Sequence, residues 1–366
     1  IVRRLVGSEM CIRDRVITTV IGSNIALSIG MIGALSIVRF RTPIRTPYEL
    51  VHYFSLLTIG ISAKVDLSIT IVLIILFLGY LFFTKPKQMP LIGHFFDKVV
   101  YGSLYYFNKP DLNYIYATKD GVKLKLYIFN PDEKDTKSSV LLFHGGGWAF
   151  GSSYSLFKIC RDISKNGITC ISADYRLALK HNSKVKDSME DARDAYKWIY
   201  DNSDVLNIDR DNIMVGGGSS GGHLAASLAM IPYDDNDVFT DIKALIFFNP
   251  AINTTFFDNG FELPNDTSDR RIKFWFFLKK LFEGRSIEFS PSNYVTENLP
   301  PSIIFHGTND KTIPISIVEE FTAEMKSKGN KIKLSKWKDK GHQFYRWDKE
   351  VYPAVINEVV DFIKEN

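Results

Sequence analysis

The sequence is poor in cysteine, with three residues in 366: Cys11, Cys160 and Cys170. They form no Cys-x-x-Cys pair and no Cys/His cluster, which argues against a zinc site or a dithiol redox site. Cys160 and Cys170 are expected to be buried, reduced thiols, because free cysteine is usually buried. Reduced thiols would suit a reducing compartment.

An excess of charge of one sign is also missing. The 45 Lys and Arg residues against 41 Asp and Glu residues give a net charge of +4 at pH 7. No basic cluster marks a nucleic-acid face, so nucleic-acid binding is not expected. The length suffices for one large α/β domain together with a further segment.

Residues 1–15 are not expected to carry fold information. Residues 5–15 read LVGSEMCIRDR and resemble an in-frame translation of a transposon-type sequencing adaptor. If the resemblance holds, the natural N-terminus is missing from the sequence. The alternative is a genuine basic segment.

Long hydrophobic runs occupy residues 16–87. Residues 16–38 carry no charge, residues 67–83 are strongly apolar, and residues 50–63 form a shorter run. These lengths predict about three transmembrane helices. The positive charges that follow the first and third runs would then lie on one side of the membrane: Arg39, Arg41, Arg45, Lys85 and Lys87. That side is predicted to be cytoplasmic, and the remainder of the chain would lie there too.

The membrane segment also carries a resemblance of its own. The block GSNIALSIGMIGALSIVRFRTPI, within residues 21–49, is similar to an uncharacterised bacterial membrane-protein family. The resemblance stops near residue 83. Two readings stay open: a genuine fusion, which anchors the chain in the membrane, or an artificial junction, which would leave residues 88–366 as a soluble cytoplasmic protein.

From about residue 88 the pattern predicts an α/β domain. Short apolar runs, each ending in a turn, are expected to be strands: residues 123–129, 140–143, 169–173, 213–215, 244–248, 302–305 and 331–336. Segments with helical spacing lie between them: residues 185–200, 224–230, 315–325 and 351–363. Strands that alternate with helices predict a mostly parallel sheet with helices on both faces. The chemical groups should then follow the strand ends.

The run at residues 213–215 leads into GGGSSGGHLAASLAM, which is typical of a nucleophile elbow. Two registers of Gly-x-Ser-x-Gly fit, one with Ser219 as the nucleophile and one with Ser220. The segment resembles the esterase pattern G-D-S-A-G-G-N-L-A-A, and this resemblance favours Ser219. Gly218 stands where the pattern has an acidic residue.

The run at residues 140–143 leads into HGGGWAFGS. His144 and the three glycines after it match the oxyanion motif of lipases and esterases. Backbone N–H groups in such a loop stabilise the negative charge of a tetrahedral intermediate. The family resemblance implies Gly146, Gly147 and Ser220 as the donors. His144 is interpreted as structural, because it ends a central strand.

A nucleophilic serine needs a base and an orienting carboxylate. The run at residues 302–305 ends in HGTND, which places Asp310 on the following loop, and KDKGHQF places His342 after the strand at residues 331–336. The chain order Ser, Asp, His is that of the α/β-hydrolase fold. Asp339 is the rival acid, and His306 is the rival base.

These four motifs resemble the acetyl-esterase-like group of α/β hydrolases, which is related to hormone-sensitive lipase. The resemblance covers about residues 113–366. It implies a serine carboxylesterase that acts on small-molecule esters and needs no metal or organic cofactor. A peptidase or amidase of the same fold is the alternative, and a membrane module fused artificially to an esterase is another.

Two further features complete the prediction. Residues Asp174, Arg176 and Asp191, in ADYRLA and SMEDARDAYKWI, are expected to anchor loops through buried ion pairs. An insertion around residues 251–290 contains DRRIKFWFFLKKLF, which is basic and aromatic. It is interpreted as a small lid, with packed core and an amphipathic segment at a membrane surface as the alternatives.

Overall fold

A computed structural model describes residues 108–133, 138–232, 239, 241–259 and 270–366. All of them belong to one of two units of the chain, Gly93–Asn366. The adaptor-like segment and the three predicted transmembrane helices lie outside these residues and stay predictions. No helix among the described residues is both long enough and apolar enough to cross a membrane.

Eight strands form one sheet. They are β1 (Leu112–Lys119), β2 (Val122–Phe129), β3 (Ser139–Phe143), β4 (Thr169–Ala173), β5 (Ile213–Gly218), β6 (Leu245–Phe248), β7 (Ser302–Gly307) and β8 (Ile332–Trp337). Their order in the sheet is β1-β2-β4-β3-β5-β6-β7-β8. β2 pairs antiparallel with β1 and β4, and the other neighbours pair in parallel. The prediction of a mostly parallel sheet is confirmed.

Ten α-helices connect or follow these strands in the described part of the chain. They are α1 (Phe157–Ser164), α2 (Ala178–His181), α3 (Val185–Asp201), α4 (Ser203–Leu206), α5 (Ser220–Met230), α6 (Phe256–Asn259), α7 (Arg270–Leu281), α8 (Ile315–Ser327), α9 (Phe344–Trp347) and α10 (Tyr352–Glu365). Short 3₁₀ helices occupy Ser153–Leu156, Arg210–Asn212 and Pro291–Tyr294.

The sheet is buried on both faces, as parallel sheets require. Alternate residues of β5 belong to two different hydrophobic clusters: Ile213 and Val215 to one, Met214 to the other. Helices α3, α5 and α8 pack in the first cluster, and α1 and α10 pack in the second. The prediction of helices on both faces is therefore confirmed.

Cys160 and Cys170 form a disulfide, with their Cα atoms 5.0 Å apart. This corrects the expectation of two reduced thiols, although both residues are fully buried as expected. The reason is geometric, because α1 packs directly against β4 and the two side chains face each other. These two cysteines therefore do not indicate a reducing compartment.

Candidate active site

Ser219 lies on the sharp turn between β5 and α5. Its backbone has φ 53° and ψ −118°, a conformation that non-glycine residues rarely adopt and that is found where surrounding structure enforces it. The Ser219 N–H donates to the carbonyl of Phe248 at 2.9 Å, and the Ser219 carbonyl accepts from the N–H of Ala251 at 3.0 Å. The end of β6 therefore holds the turn in place. Ser219 keeps 9% of its surface exposed.

The loop after β3 lies against this serine. A Cβ atom placed on Gly145 would lie 3.1 Å from Ser219 Cβ. The Gly145 backbone therefore lies so close to Ser219 that a side chain at position 145 would be crowded. Gly146 and Gly147 have positive φ angles of 142° and 59°. Neither of their N–H groups donates a backbone hydrogen bond in the described part of the chain.

Ser220 is the first residue of α5, and its N–H has no partner within the helix. Its hydroxyl is buried and makes no hydrogen bond with the described residues. The geometry therefore gives the two serines different surroundings. Ser219 occupies the strained turn that a nucleophile elbow requires, and Ser220 offers a backbone donor at a helix N-terminus.

His342 and Asp310 meet through a direct hydrogen bond. His342 Nδ1 lies 2.7 Å from Asp310 Oδ2, and Asp310 Oδ1 accepts from the N–H groups of Thr312 at 2.8 Å and Ile313 at 3.0 Å. Burial raises the pKa of Asp310, but these hydrogen bonds and the nearby imidazole outweigh it and leave the pKa below its ordinary value. Asp310 is therefore an ionised acceptor that fixes the ring.

The alternative acid, Asp339, and the alternative base, His306, do not take part in this hydrogen bond. Asp339 is exposed, and its backbone N–H donates to Thr308 Oγ1 at 2.8 Å. His306 is fully buried, and its Nε2 lies 2.9 Å from the carbonyl oxygen of Ile313. Burial lowers the pKa of His306. His342, by contrast, keeps 16% of its side chain exposed, so it can reach a substrate.

His223 connects the loop after β3, which carries Trp148, with the insertion around residues 251–290. Trp148 Nε1 donates to His223 Nδ1 at 3.2 Å, and His223 Nε2 lies 2.7 Å from the carbonyl oxygen of Phe289. His223 therefore accepts on one side and donates on the other, as a neutral ring does. Burial lowers the pKa of His223 to about 4. Burial likewise lowers the pKa of His144 to about 3, which agrees with a structural role for His144.

These buried histidines predict a loss of stability in mild acid. In the unfolded chain each takes up a proton near about pH 6.5, whereas the folded chain resists protonation until pH 4 or below. The free energy of unfolding should therefore fall as pH drops from about 6.5 to about 4, by up to about 1.4 kcal/mol per pH unit for each histidine. His223→Asn, which cannot titrate, should make the slope shallower in urea unfolding series. Equal slopes would contradict this origin.

The ion pairs predicted near β4 are present in part. Arg176 pairs with the fully buried Asp191, with Arg176 Nη2 at 2.9 Å from Asp191 Oδ1, and this pair anchors α3. Asp174 is anchored differently, because it accepts hydrogen bonds from Ser153 Oγ at 2.6 Å and from the N–H of Lys125 at 3.3 Å. The expectation of an ion pair at Asp174 is therefore corrected.

The basic and aromatic part of the insertion forms α7, and α7 covers the oxyanion loop. A Cβ atom on Gly147 would lie 3.2 Å from Leu278 and 3.4 Å from Phe274. Leu278 is buried, whereas Phe274 and Phe276 are exposed. Leu278 therefore packs against the loop after β3 while Phe276 stays exposed, so α7 is not a wholly buried core helix.

A cavity of about 480 Å³ lies beside β2 and β4, and its walls include His144, Gly151, Asp174 and Tyr175. Ser219 and His342 do not line it, so it is separate from the reacting groups. Among the described residues, no group of three or more His, Cys, Asp or Glu side chains is placed to hold a metal ion. The expectation of a reaction without metal or organic cofactor stays a prediction.

Tyr345 joins the loop of His342 to the turn of Ser219. A Cβ atom on Gly218 would overlap the Tyr345 hydroxyl, so the tyrosine fills the space of the missing side chain. The Tyr345 ring stacks on Phe248 with centroids 4.6 Å apart, and Phe248 stacks on Phe305 at 5.3 Å. This column of rings connects the ends of β6 and β7 with the segment after His342.

Gly218→Ala should therefore displace Tyr345 and, with it, the segment that carries His342. We expect kcat/KM to fall about a hundredfold, because a shift of the order of 1 Å in a reacting group has effects of that size. Tyr345→Phe removes the overlapping hydroxyl and leaves the ring carbon Cζ at 3.0 Å, so the double variant should recover part of the loss. A double variant no better than Gly218→Ala would contradict this explanation.

A mostly parallel sheet with a serine on the turn after β5 and a His–Asp pair at the ends of β7 and β8 defines an α/β hydrolase. The chain belongs to the BD-FAE family, whose model matches residues 126–325. It is similar to arylacetamide deacetylase from Bos taurus, with 32% identity over 147 residues that cover 39% of this chain and 36% of that protein.

Solved structures agree with this family. The chain is similar to esterase 2 of Thermogutta terrifontis phosphonylated by sarin, with 30% identity, a TM-score of 0.63, and coverage of 70% of this chain and 95% of that chain. The butyrate-bound form of that esterase shows 32% identity and a TM-score of 0.59, with coverage of 69% and 93%. The chain spans about a third to a half of the length of the first curated relatives it matches. The predicted α/β-hydrolase fold and the resemblance to esterases are confirmed.

Asn249 and Tyr345 adjoin the candidate site, and the motifs do not reveal them. Asn249 directly follows β6 and donates to Asp310. The rule that chemical groups follow strand ends points to Asn249, since it directly follows the run at residues 244–248. Tyr345 has no such signal, because a buried tyrosine three residues after a histidine looks like any core aromatic.

Proposed function

We propose that this chain is a serine carboxylesterase in which Ser219 is the nucleophile, His342 the general base and Asp310 the residue that orients His342. The observation that carries the proposal is the His342–Asp310 hydrogen bond of 2.7 Å. The two residues lie on the loops after β7 and β8, at the sheet edge where Ser219 follows β5. Each of the three groups has the role that its surroundings allow.

The reaction has two halves. His342 takes the proton of the Ser219 hydroxyl while the oxygen attacks the ester carbonyl, and the tetrahedral intermediate collapses as His342 gives the proton to the departing alcohol. Water then attacks the acyl-serine by the same route and releases the carboxylic acid. Asp310 stays ionised throughout, holds the imidazole in one tautomer and stabilises its protonated form.

The oxyanion of both intermediates would be held by the N–H groups of Gly146, Gly147 and Ser220. These amides are supported as donors by the positive φ angles of the two glycines and by the position of Ser220 at the start of α5. Each such donor is worth about 3–4 kcal/mol of transition-state stabilisation.

The relatives support small esters as substrates. A solved neighbour with 32% identity holds butyrate, and α7 packs closely over Gly147, which limits the room beside the oxyanion loop. Esters of short-chain carboxylic acids are therefore proposed as the substrate class. The insertion that includes α7 is proposed as a small lid.

The test is hydrolysis of p-nitrophenyl esters of increasing chain length by the full chain, together with labelling by a fluorophosphonate. We expect turnover of the acetate and butyrate esters and a single labelled serine. A folded chain that shows neither activity would overturn the proposal. Hydrolysis of anilides in preference to esters would favour the amidase alternative, to which the name arylacetamide deacetylase of one relative also points.

We further propose that residues 16–87 anchor the domain at the cytoplasmic side of a membrane. The support is the two long apolar runs and the positive residues that follow them. Protease treatment of intact cells that express the full chain should spare the domain. Digestion of the domain in intact cells would place it outside the cell. Recovery of the chain in the soluble fraction would show that residues 16–87 do not anchor it.

A further inference from the structure

Asn249 contacts the carboxylate that holds His342. Its Nδ2 donates to Asp310 Oδ2 at 2.9 Å, and the same oxygen lies 2.7 Å from His342 Nδ1. The other oxygen, Oδ1, accepts from the backbone N–H groups of Thr312 and Ile313. Among the described residues, Asn249 and His342 are the two side chains within hydrogen-bond distance of this oxygen, and the amide orientation follows because a carboxylate only accepts.

Stability alone does not explain this asparagine. Asn249 is fully buried, and its Oδ1 has no hydrogen-bond partner in the described part of the chain. A buried acceptor without a partner destabilises a fold, and burying an amide for structural reasons usually satisfies both of its ends. The contact with Asp310 is the polar interaction that the side chain does make.

The backbone offers a competing explanation. Asn249 has φ 45°, in the left-handed region where asparagine and glycine are favoured. Its N–H donates to the carbonyl of Phe305 at 2.9 Å and ties the end of β6 to β7. If the backbone conformation were the whole reason, glycine would serve equally well at this position.

We propose that Asn249 is a positioning residue for the hydrolytic reaction, an inference that rests on the function proposed above. Its amide fixes the orientation in which Asp310 Oδ2 meets His342 Nδ1, and it takes part of the negative charge of that oxygen. Asn249 acts through Asp310 and not on the ester itself.

The role predicts a particular change in the pH profile. The Asn249 N–H group that donates to Asp310 Oδ2 takes up part of the negative charge of that oxygen and weakens its attraction for the protonated imidazole. Without the amide, Asp310 stabilises the imidazolium more strongly, so the acidic limb of kcat/KM moves to higher pH. The other titratable groups that face the pair are His306, whose Nε2 is 3.6 Å from Asp310 Oδ2, and Glu319 of α8, which faces His306. Both stay in place in the variants.

The test compares the full chain with Asn249→Gly and Asn249→Asp, and uses Asn298→Gly as the control. Asn298 also has a left-handed backbone, with φ 62°, and it is exposed. This control measures what the loss of an asparagine side chain at such a position does by itself. The readouts are kcat and KM on p-nitrophenyl acetate from about pH 5 to about pH 9, and the urea midpoint of unfolding.

Asn249→Gly should lower kcat about tenfold or more and leave KM within about twofold, because Asp310 Oδ2 is no longer held in the orientation in which it meets His342 Nδ1. Asn249→Asp keeps the shape and adds a second carboxylate beside Asp310, so it should move the acidic limb up by about one pH unit. Asn298→Gly should change neither quantity.

A kcat of Asn249→Gly within twofold of wild type would overturn this role. An unmoved acidic limb in Asn249→Asp, with losses in kcat that follow the urea midpoint, would also overturn it and leave a structural role. An inactive wild-type chain would overturn the proposed function together with this inference, whereas active wild type with unchanged variants would overturn the inference alone.

Discussion

Ser219→Ala should abolish ester hydrolysis and fluorophosphonate labelling. The expected loss in kcat is of the order of 10⁶, the size measured when the nucleophile of a serine hydrolase is removed. The reason is the turn at Ser219, whose φ of 53° and ψ of −118° present the residue above the end of β5. The measurement is a progress curve with p-nitrophenyl acetate at high enzyme concentration, together with a gel of the labelled protein.

Ser220→Ala is the matched control for this loss. The Ser220 hydroxyl is buried and has no hydrogen-bond partner among the described residues, and alanine keeps the N–H group that is proposed to bind the oxyanion. This variant should retain much of the activity and label normally. If Ser220→Ala were inactive and Ser219→Ala active, the nucleophile would be Ser220, the other register of the motif.

His342→Ala should have the second largest effect, a loss of several orders of magnitude in kcat. Asp310→Asn should lose about 10⁴, because an amide at this position no longer stabilises the imidazolium and favours the wrong tautomer. In wild type the activity should fall as pH is lowered, because a general base must be neutral to accept the serine proton. Asp310 stays ionised through that fall, since its pKa lies below the ordinary carboxyl value.

Asp339→Asn is the control for the acid. Asp339 is near His342 in sequence, but it is exposed and its backbone N–H bonds to Thr308. The variant should keep kcat within about twofold, as surface substitutions away from a site usually do. Near-normal activity in His342→Ala, or a larger loss in Asp339→Asn than in Asp310→Asn, would contradict the assignment of base and acid.

The seven strands β2 to β8 could be predicted because each has a strong local signal. The runs at residues 140–143 and 169–173 are fully buried in the structure, and a continuous apolar run between turns is typical of a parallel strand. The candidate site could be predicted from the same signal, because Ser219, Asp310 and His342 each come after a strand. Motif spacing then selected these three residues as candidates, and the structure places His342 and Asp310 in direct hydrogen-bond contact.

Other features depend on contacts between distant parts of the chain. β1 was missed, and half of its residues are exposed because it is an edge strand, so its apolar pattern is weak. The Cys160–Cys170 disulfide required the packing of α1 on β4, which no spacing rule reveals. Asn249 and Asp310 are 61 residues apart in sequence, and their hydrogen bond becomes visible only when β6 and β7 are paired.

The most direct test of the account is to trap the acyl-enzyme. The full chain is mixed with excess p-nitrophenyl acetate, quenched in acid during turnover, digested and analysed by peptide mass spectrometry. Wild type should carry one acetyl group, on Ser219, and Ser219→Ala should carry none. Ester hydrolysis that proceeds with no acetylated serine, or with the acetyl group on another residue, would contradict the account.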